Sequence, residues 1–233
     1  MKIHAVRILA VLISFLPLVV FAQDTGSRTC RVIFLGAADT DAATLHLYDG
    51  TASREVELPR LNLSKIYTLP AGPLTLHLLS MPHVAKEPVN PATRSVTVAE
   101  AISDFYLLVS PDPSNKIVPV RMQVIDATVE RFKSGQMLWF NLTEHDVGGQ
   151  VGKQKLAIKA QSKVILDPPA TGQQDYNVNL NFRIVGEDVF YPLCETRWVH
   201  NPDNRTLLFI LNESGSRAPR ILGFPDHREK KNP

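Results

Sequence analysis

Three consecutive polar residues, Glu144, His145 and Asp146, form the densest group in the chain that could do chemistry. Carboxylate and imidazole groups can ligate a metal ion, and a carboxylate beside an imidazole can act in acid–base catalysis. Side chains of consecutive residues rarely converge on one point, so we interpret the triplet as a solvated turn. The sequence also has no Gly-x-Ser-x-Gly, His-Glu-x-x-His or Cys-x-x-Cys motif. We therefore predict no catalytic residue, no metal ligand and no cofactor.

The two cysteines, Cys30 and Cys194, are the next candidates, and their chemistry depends on the compartment. In an oxidising compartment, two cysteines favour one disulfide. A bridge between Cys30 and Cys194 would close almost the whole chain and would contribute roughly 5 kcal/mol in the chain-entropy model. The alternative is two separately buried thiols, since an unbonded cysteine packs like a small hydrophobic residue.

The first 22 residues predict this compartment. Lys2 and Arg7 precede an apolar stretch, residues 8–22, that ends in Val20-Phe21-Ala22, with small residues at the −3 and −1 positions of a cut before Gln23. This layout predicts a cleaved secretory signal peptide over residues 1–22. The alternative is an uncleaved anchor, but roughly 15 apolar residues fall short of the about 20 that span a bilayer. We expect a periplasmic or secreted protein with no membrane span after cleavage.

The balance of charge excludes some partners. The chain has 25 basic and 23 acidic residues, and Lys2 and Arg7 lie in the predicted signal, which has no acidic residue. Cleavage therefore leaves 23 basic against 23 acidic residues, a neutral chain when the histidines are uncharged. Such a chain has no long-range field to steer it to nucleic acid, and we expect no nucleic-acid partner.

Hydrophobic residues make up 44% of the chain, which is enough for a core and excludes global disorder.

Alternation of apolar and polar residues is the dominant pattern after the signal, and its clearest run covers residues 176–184. Only a strand places every apolar side chain of such a run on one face. Turn residues such as Val147-Gly148-Gly149 separate the many short runs. The single helix candidate, residues 98–103, is too little for an α/β fold. The sequence predicts an all-β protein made of small antiparallel β-sandwiches.

A polar segment with two prolines, residues 110–115, is the best candidate for a linker, because proline blocks strand pairing. It predicts β-sandwich domains at 29–110 and 116–224, joined by a linker at 111–115. The alternative is a long loop within one sandwich. The polar C-terminus predicts a disordered tail at 225–233. No internal repeat of fixed period is visible.

One hairpin resembles that of small extracytoplasmic immunoglobulin-like and transthyretin-like modules. It runs Tyr67-Thr68-Leu69-Pro70-Ala71-Gly72-Pro73-Leu74-Thr75-Leu76. The resemblance covers about ten residues, a tight turn followed by a half-buried strand. It implies immunoglobulin-like β-sandwich domains, which in such modules usually act as spacers or binding accessories.

A second segment, residues 136–168, resembles the strand hairpin of periplasmic pilus chaperones, which are exported two-domain sandwiches. Its strands begin with Gln136-Met137-Leu138-Trp139-Phe140-Asn141-Leu142 and continue with Leu156-Ala157-Ile158-Lys159-Ala160. The resemblance implies strand donation, in which Leu156, Ile158 and Ala160 would complete the open sheet of a partner. In this family, a basic residue anchors the terminal carboxylate of the partner. The chain departs from the family here, because the aligned residue is Gln161.

These observations predict an exported, non-enzymatic protein that acts as a structural module or as a protein- or ligand-interaction module. Its partner would be another exported protein or a component of the cell surface. Trp139 and Trp198 are predicted to be core aromatics; if either faced outward, it would belong to a carbohydrate- or protein-binding platform. The alternatives are a pilus-type chaperone, and a hydrolase or carbohydrate-active enzyme whose site is assembled from distant residues.

Overall fold

The computed structural model describes residues 27–36, 44–84 and 87–227, and every regular element in these ranges is a strand. The first eight are β1 Arg28–Phe34, β2 Leu45–Tyr48, β3 Ser53–Val56, β4 Tyr67–Leu69, β5 Leu74–Leu79, β6 Ser95–Val98, β7 Asp104–Pro111 and β8 Val120–Asp126. The second eight are β9 Met137–Asn141, β10 Asp146–Val151, β11 Gln154–Ile158, β12 Ser162–Leu166, β13 Asp175–Arg183, β14 Phe190–Val199, β15 Asn204–Leu211 and β16 Arg220–His227. The all-β prediction is confirmed, whereas the helix candidate at 98–103 is a turn after β6.

The strands form four sheets of four strands each, and no sheet mixes the first eight strands with the second eight. Sheet A has the order β4-β1-β7-β8 and sheet B the order β3-β2-β5-β6. Sheet C has the order β12-β9-β15-β16 and sheet D the order β11-β10-β13-β14. Sheets B and D are antiparallel throughout, while sheets A and C each contain one parallel pair, β1 with β7 and β9 with β15.

The two halves of the chain share one topology. Adding eight to each strand number of sheet A gives sheet C, and the same shift turns sheet B into sheet D. The parallel pair also falls at the equivalent place in both halves. The fold is therefore an internal duplication at the level of strand order, although the sequence shows no repeat. Its pairing differs from the immunoglobulin constant-type order, in which the first and second strands are neighbours in one sheet.

The sheets stack in the order B, A, C, D, with an apolar layer in each of the three spaces. The B–A layer includes Val32, Leu47, Leu76 and Leu107. The A–C layer includes Ile33, Tyr106, Leu108, Leu138, Phe140, Leu207, Phe209 and Phe224. The C–D layer includes Trp139, Leu156, Ile158, Leu180, Phe182, Leu208 and Ile210. Sheets A and B thus form one sandwich, here AB, sheets C and D form a second, here CD, and the two sandwiches pack through their middle sheets.

The chain crosses from sandwich AB to sandwich CD at residues 127–136 and not at the predicted linker. β8 returns beside β7 and pairs with it from Phe105 to Pro111. Residues 111–115 therefore comprise the last residue of β7 and the first part of the hairpin turn that leads to β8, where the Asp112 N–H donates to the Pro119 carbonyl at 2.8 Å. The prolines are accommodated because they lie at the end of the hairpin, where the ladder of hydrogen bonds stops.

The predicted tail is also shorter than expected. Residues 225–227 belong to β16, where they pair with β15, and Asp226 is fully buried. Residues 1–22, which hold the predicted signal peptide, and residues 228–233 lie outside the described part of the chain. Within the described ranges, no helix is long and apolar enough to cross a membrane.

The predicted disulfide between Cys30 and Cys194 is wrong, because the two residues form no disulfide. Cys30 is buried in the B–A layer, whereas Cys194 lies on β14 and packs against the C–D layer. Sheets A and C stand between these two layers, so the thiols cannot meet in this fold. The alternative interpretation, two separately buried thiols, holds for Cys30, which is buried, while Cys194 is half-buried.

Candidate functional site

The polar triplet Glu144-His145-Asp146 does not assemble a reactive centre. Glu144 is exposed, and the His145 ring lies 5.6 Å from the Phe182 ring. Asp146 forms ion pairs with Lys159 at 3.0 Å and Arg183 at 2.6 Å. Hydrogen bonds from these two cations lower the pKa of Asp146 to about 2. The described residues contain no group of three His, Cys, Asp or Glu side chains that could hold a metal ion.

The residues proposed for strand donation lie on or next to β11, an edge strand of sheet D. Leu156 and Ile158 are buried in the C–D layer, at 0% and 3% exposure. Ala160 follows β11 in a turn, where its N–H donates to Asp146 Oδ1 at 3.2 Å. The two larger side chains already fill the core of this protein, so offering them to a partner would require opening sandwich CD.

The two sandwiches differ at one side, although their topology is the same. In sandwich AB, the edge strands β6 and β8 of the two sheets lie against each other and close that side. Their counterparts in sandwich CD, β14 and β16, make no comparable contact in the described part of the chain. None of the ten residues of β14 is fully buried. Sandwich CD is therefore open where sandwich AB is closed.

A cavity of about 340 Å³ occupies this open side, and we name it the β14–β16 cleft. Its lining combines aromatic, aliphatic and uncharged polar residues: Met137, Tyr176, Trp198, Val199, His200, Asn201, Asn204, Thr206, Leu208, Ile221, Gly223 and Pro225. The volume falls within the range of ligand pockets, about 300–1,000 Å³. No residue of this lining carries a formal charge at neutral pH when His200 is uncharged.

Aromatic rings build one wall of the cleft. The Trp198 ring stacks on the Trp139 ring, with the centroids 6.0 Å apart and the planes at 14°. The Tyr176 ring meets Trp198 edge to face, with the centroids 6.2 Å apart. Trp139 itself is fully buried, and Trp198 is half-buried. The prediction that Trp139 is a core aromatic is confirmed, while Trp198 reaches from the core into the cleft.

Two polar groups of the cleft lack strong hydrogen-bond partners. His200 is 5% exposed, and its Nε2 atom has no partner. The Tyr176 hydroxyl lies 3.8 Å from the Met137 sulfur, a weak acceptor. Burial lowers the pKa of the His200 imidazole and raises the pKa of Tyr176 to about 12, because a poorly hydrated site disfavours both charged forms. Both groups are therefore neutral near pH 7.

Gly223 leaves space in the cleft. It lies on β16 opposite Leu208 of β15 and has an ordinary strand conformation. A Cβ atom at this position would meet Leu208 Cδ2 at 3.5 Å, an ordinary van der Waals distance. The backbone therefore does not require glycine here. A glycine inside a strand often marks a place where another group approaches closely.

The sequence identified only part of this site. It singled out Trp198, and its alternation placed Tyr176 on the apolar face of a strand. It missed His200 and Gly223, because the histidine follows the end of β14 and an isolated glycine carries no ligand signal. The sequence also does not predict the open side of sandwich CD, because this depends on the distance between β14 and β16, two edge strands of different sheets.

A larger depression of about 880 Å³ lies at one end of sandwich CD, near the turn between β10 and β11. Lys153, Asp167, Asp175 and Arg197 contribute charges of both signs to it, and all four are exposed. Water screens such charges, and none of the residues that line this depression has a buried side-chain N or O atom without a partner. We therefore favour the smaller β14–β16 cleft as the candidate site, since it has an aromatic wall and a buried unpartnered imidazole.

Comparison with known protein families and with curated proteins finds no match for the chain.

Proposed function

We propose that the protein is exported and acts outside the cytoplasm as a non-enzymatic interaction module, with the open side of sandwich CD as its binding surface. The observation that carries this proposal is the difference between the two sandwiches. One topology is built twice, and among the described residues the second copy has an aromatic-lined cleft between its edge strands where the first copy is closed. A purely structural spacer has no need for this asymmetry.

Export rests on the N-terminal sequence alone. Residues 1–22 have the basic start, the apolar stretch and the small residues before Gln23 that signal peptidases require. Cys30 and Cys194 form no disulfide, so they give no support for an oxidising compartment. Cleavage before Gln23 would leave the described residues intact, since β1 begins at Arg28.

We further propose that each sandwich is a domain of the small extracytoplasmic kind. The segment at residues 67–76, on which that resemblance rests, is not a hairpin, because β4 belongs to sheet A and β5 to sheet B. A turn with Gly72 at φ +82° carries the chain from one sheet to the other. The immunoglobulin-like part of the resemblance has less support, because β1 and β2 lie in different sheets. The domains would then be 27–126 and 137–227, with a connection at 127–136.

Hydrogen exchange tests the binding surface without assuming the nature of the partner. The exported protein, whose mass should show Gln23 as its first residue, is incubated with extracellular and periplasmic fluid of the source cells. We expect slower exchange in β14 and β16 than in buffer, because a bound partner covers their edges. β6 and β8, the equivalent strands of sandwich AB, serve as the internal control and should exchange at an unchanged rate.

Protection confined to sandwich AB would overturn the proposal, and so would a complete lack of protection. The fluid is also divided by ultrafiltration into a fraction of small molecules and a fraction of macromolecules. Either fraction can support the proposed binding surface, and the comparison shows which kind of partner is bound.

A further inference from the structure

We propose that β14 pairs antiparallel with β14 of a second copy of this chain, about a twofold axis at Thr196. The two copies of sheet D, with four strands each, then form one continuous sheet. This inference rests on the proposed function, because it uses the open side of sandwich CD as the binding surface, and it names the partner. The backbone and the charges of β14 together determine the register of the pairing.

β14 is an edge strand whose outer side has no neighbouring strand in the described part of the chain. It is ten residues long and pairs with β13 alone. The His200 N–H donates to the Gln174 carbonyl at 2.8 Å, so the backbone N–H of His200 faces β13. Because this direction alternates along a strand, Glu195, Arg197 and Val199 direct their N–H and C=O groups away from β13. A long edge of this kind is a template for pairing with another strand.

The part of β14 that can accept a second strand is limited at both ends. Pro192 has no N–H to donate, and the register with β13 shifts beside it, which leaves Leu193 as an extra residue in a bulge. The strand ends at Val199. The regular stretch is therefore residues 194–199, and twofold pairings centred on Thr196 or on Arg197 use most of it.

The charges of β14 decide between these two registers. Both place outward-directed backbone groups opposite one another, as an antiparallel ladder requires. With Thr196 on the axis, Glu195 faces Arg197 of the second copy, and symmetry repeats this pair. With Arg197 on the axis, the two Arg197 side chains face each other. Opposite charges directly across two strands are favourable and like charges are unfavourable, so the charges select Thr196.

Both charged side chains are available for this pairing. Glu195 and Arg197 are exposed, and they lie opposite Asn179 and Asn177 of β13 on the outer face of sheet D. The ion pair of Arg197 with Asp175, at 4.0 Å, joins two exposed side chains. An exposed pair at this distance contributes little, so it does not prevent Arg197 from turning to a carboxylate across the edge.

The inner face of β14 adds an apolar contact to the pairing. Trp198 and Cys194 are half-buried and pack against the C–D layer. With Thr196 on the axis, Trp198 faces Cys194 of the second copy, and more of the indole ring leaves water. Sandwich AB needs no such cover, since β6 and β8 close its equivalent side. A twofold pairing occupies the same edge in both copies, so the assembly stops at a dimer.

The unmodified protein provides the first test. The mature protein is studied by sedimentation velocity and by hydrogen exchange from micromolar to millimolar concentration. We expect a monomer–dimer equilibrium in which the Glu195, Arg197 and Val199 amides exchange more slowly as the dimer forms, because their N–H groups become hydrogen-bonded. The amides of β6 and β8 should exchange at the same rate at every concentration. This measurement gives an answer even if a variant fails to fold.

Charge reversal tests the register. Glu195→Arg and Arg197→Glu each place like charges opposite one another twice, and each should raise the Kd of the dimer at least about tenfold. An equimolar mixture of the two variants restores opposite charges at both positions, and its Kd should return to within about threefold of the unmodified value. Lys155→Glu reverses an exposed charge on β11, at the other edge of sheet D, and should leave the Kd unchanged.

Cysteine cross-linking locates the axis. In a Cys194→Ser background, Thr196→Cys places two thiols opposite each other at a Cα separation of about 4.5 Å, within the range of a disulfide. Oxidation should therefore yield a covalent dimer. Val199→Cys is the matched control, because its two copies lie six residues apart along the pairing, about 20 Å, and should not cross-link. The remaining cysteine, Cys30, is buried.

A protein that stays monomeric at every concentration would overturn the inference. A dimer that ignores the charge reversals, or that the mixture of variants does not restore, would use another surface and would also overturn it. The hydrogen-exchange experiment with cell fluid is run at a concentration at which the protein is monomeric. Protection of β14 and β16 by the fluid, without self-pairing, supports the proposed function and refutes the second copy as partner. Self-pairing without protection by either fraction refutes the proposed function and leaves the second copy as the occupant of this edge.

Discussion

At the residue scale, the most consequential side chain outside the cleft is Asp226, which is fully buried between sheets A and C. Its carboxylate accepts hydrogen bonds from Arg31 at 2.5 Å, from Arg205 at 2.9 Å and from the Tyr106 hydroxyl. Arg205 also donates to Asp104 at 3.0 Å. Arg31, Tyr106 and Asp104 belong to sheet A, so this network connects β16 and β15 of sheet C to the other sandwich.

Removing the carboxylate should be far more costly than removing one of its donors. Asp226→Ala removes a buried counter-charge from both Arg205 and Arg31 and leaves Arg205 only its ion pair with Asp104. We expect the free energy of unfolding to fall by about 3–5 kcal/mol. Tyr106→Phe keeps the ring in the A–C layer and removes one hydrogen bond, which should cost about 1 kcal/mol. Urea unfolding of the two variants measures both values. A similar fall in the free energy of unfolding in the two variants would show that the charge network does not dominate the contact between sheets A and C.

The local sequence around Asp226 does not predict this role. Asp226 opens a run of polar residues at the C-terminus, and such a run is typical of a solvated tail. The partners of Asp226 lie far away in the sequence, at Arg31, Tyr106 and Arg205. A buried charge of this kind is recognised only when the fold has brought its partners together.

At the scale of elements, β10 shows why glycine can mislead. Val147-Gly148-Gly149 was predicted to be a turn, yet β10 runs through it from Asp146 to Val151. Gly149 has φ +151°, and a Cβ atom there would lie 2.0 Å from the Asn179 carbonyl oxygen of β13. The glycine is required because β13 approaches closely, and not because the chain turns.

The neighbouring glycines provide a matched pair for a test. Gly149→Ala should lower the free energy of unfolding by roughly 2 kcal/mol or more, because backbone atoms of β13 would have to move. Gly148→Ala places its Cβ 3.5 Å from the Leu156 carbonyl oxygen, an ordinary contact, and should change stability by less than about 0.5 kcal/mol. Thermal unfolding of both variants provides the comparison. Equal melting temperatures would contradict the proposed close approach.

Strands with one wet face are the elements that the sequence predicts well. Alternation at 176–184 corresponds to β13, observed at Asp175–Arg183. Two inner strands of the middle sheets are different, because β7 and β9 are buried on both faces and their sequences show no alternation. Short strands such as β4 and β6 contain too few residues to show any period. The stacking of four sheets therefore could not be predicted from periodicity.

At the scale of the whole molecule, the two sandwiches share an apolar layer. Its residues are buried hydrophobic side chains like those of the core inside each sandwich. Aromatic residues fill it from both sides, including Tyr106 of sheet A and Phe140, Phe209 and Phe224 of sheet C. Phe140 and Phe209 stack with their centroids 5.0 Å apart. Separation of the sandwiches would expose these rings and the Asp226 network together. Each sandwich is therefore expected to be much less stable when it is separated from the other.

We accordingly predict that the protein unfolds in one cooperative transition, although its topology is duplicated. Tryptophan fluorescence reports on sandwich CD alone, and labelling of Cys30, in a Cys194→Ser background, reports on sandwich AB. The two probes should give the same urea midpoint. Leu76→Ala, in the B–A layer, should lower the free energy of unfolding by about 2–5 kcal/mol and shift both midpoints equally. A contradictory result would be a Leu76→Ala variant in which the fluorescence midpoint is unchanged while Cys30 becomes reactive at lower urea. The two sandwiches would then unfold independently, and the shared layer would be a contact between two autonomous domains.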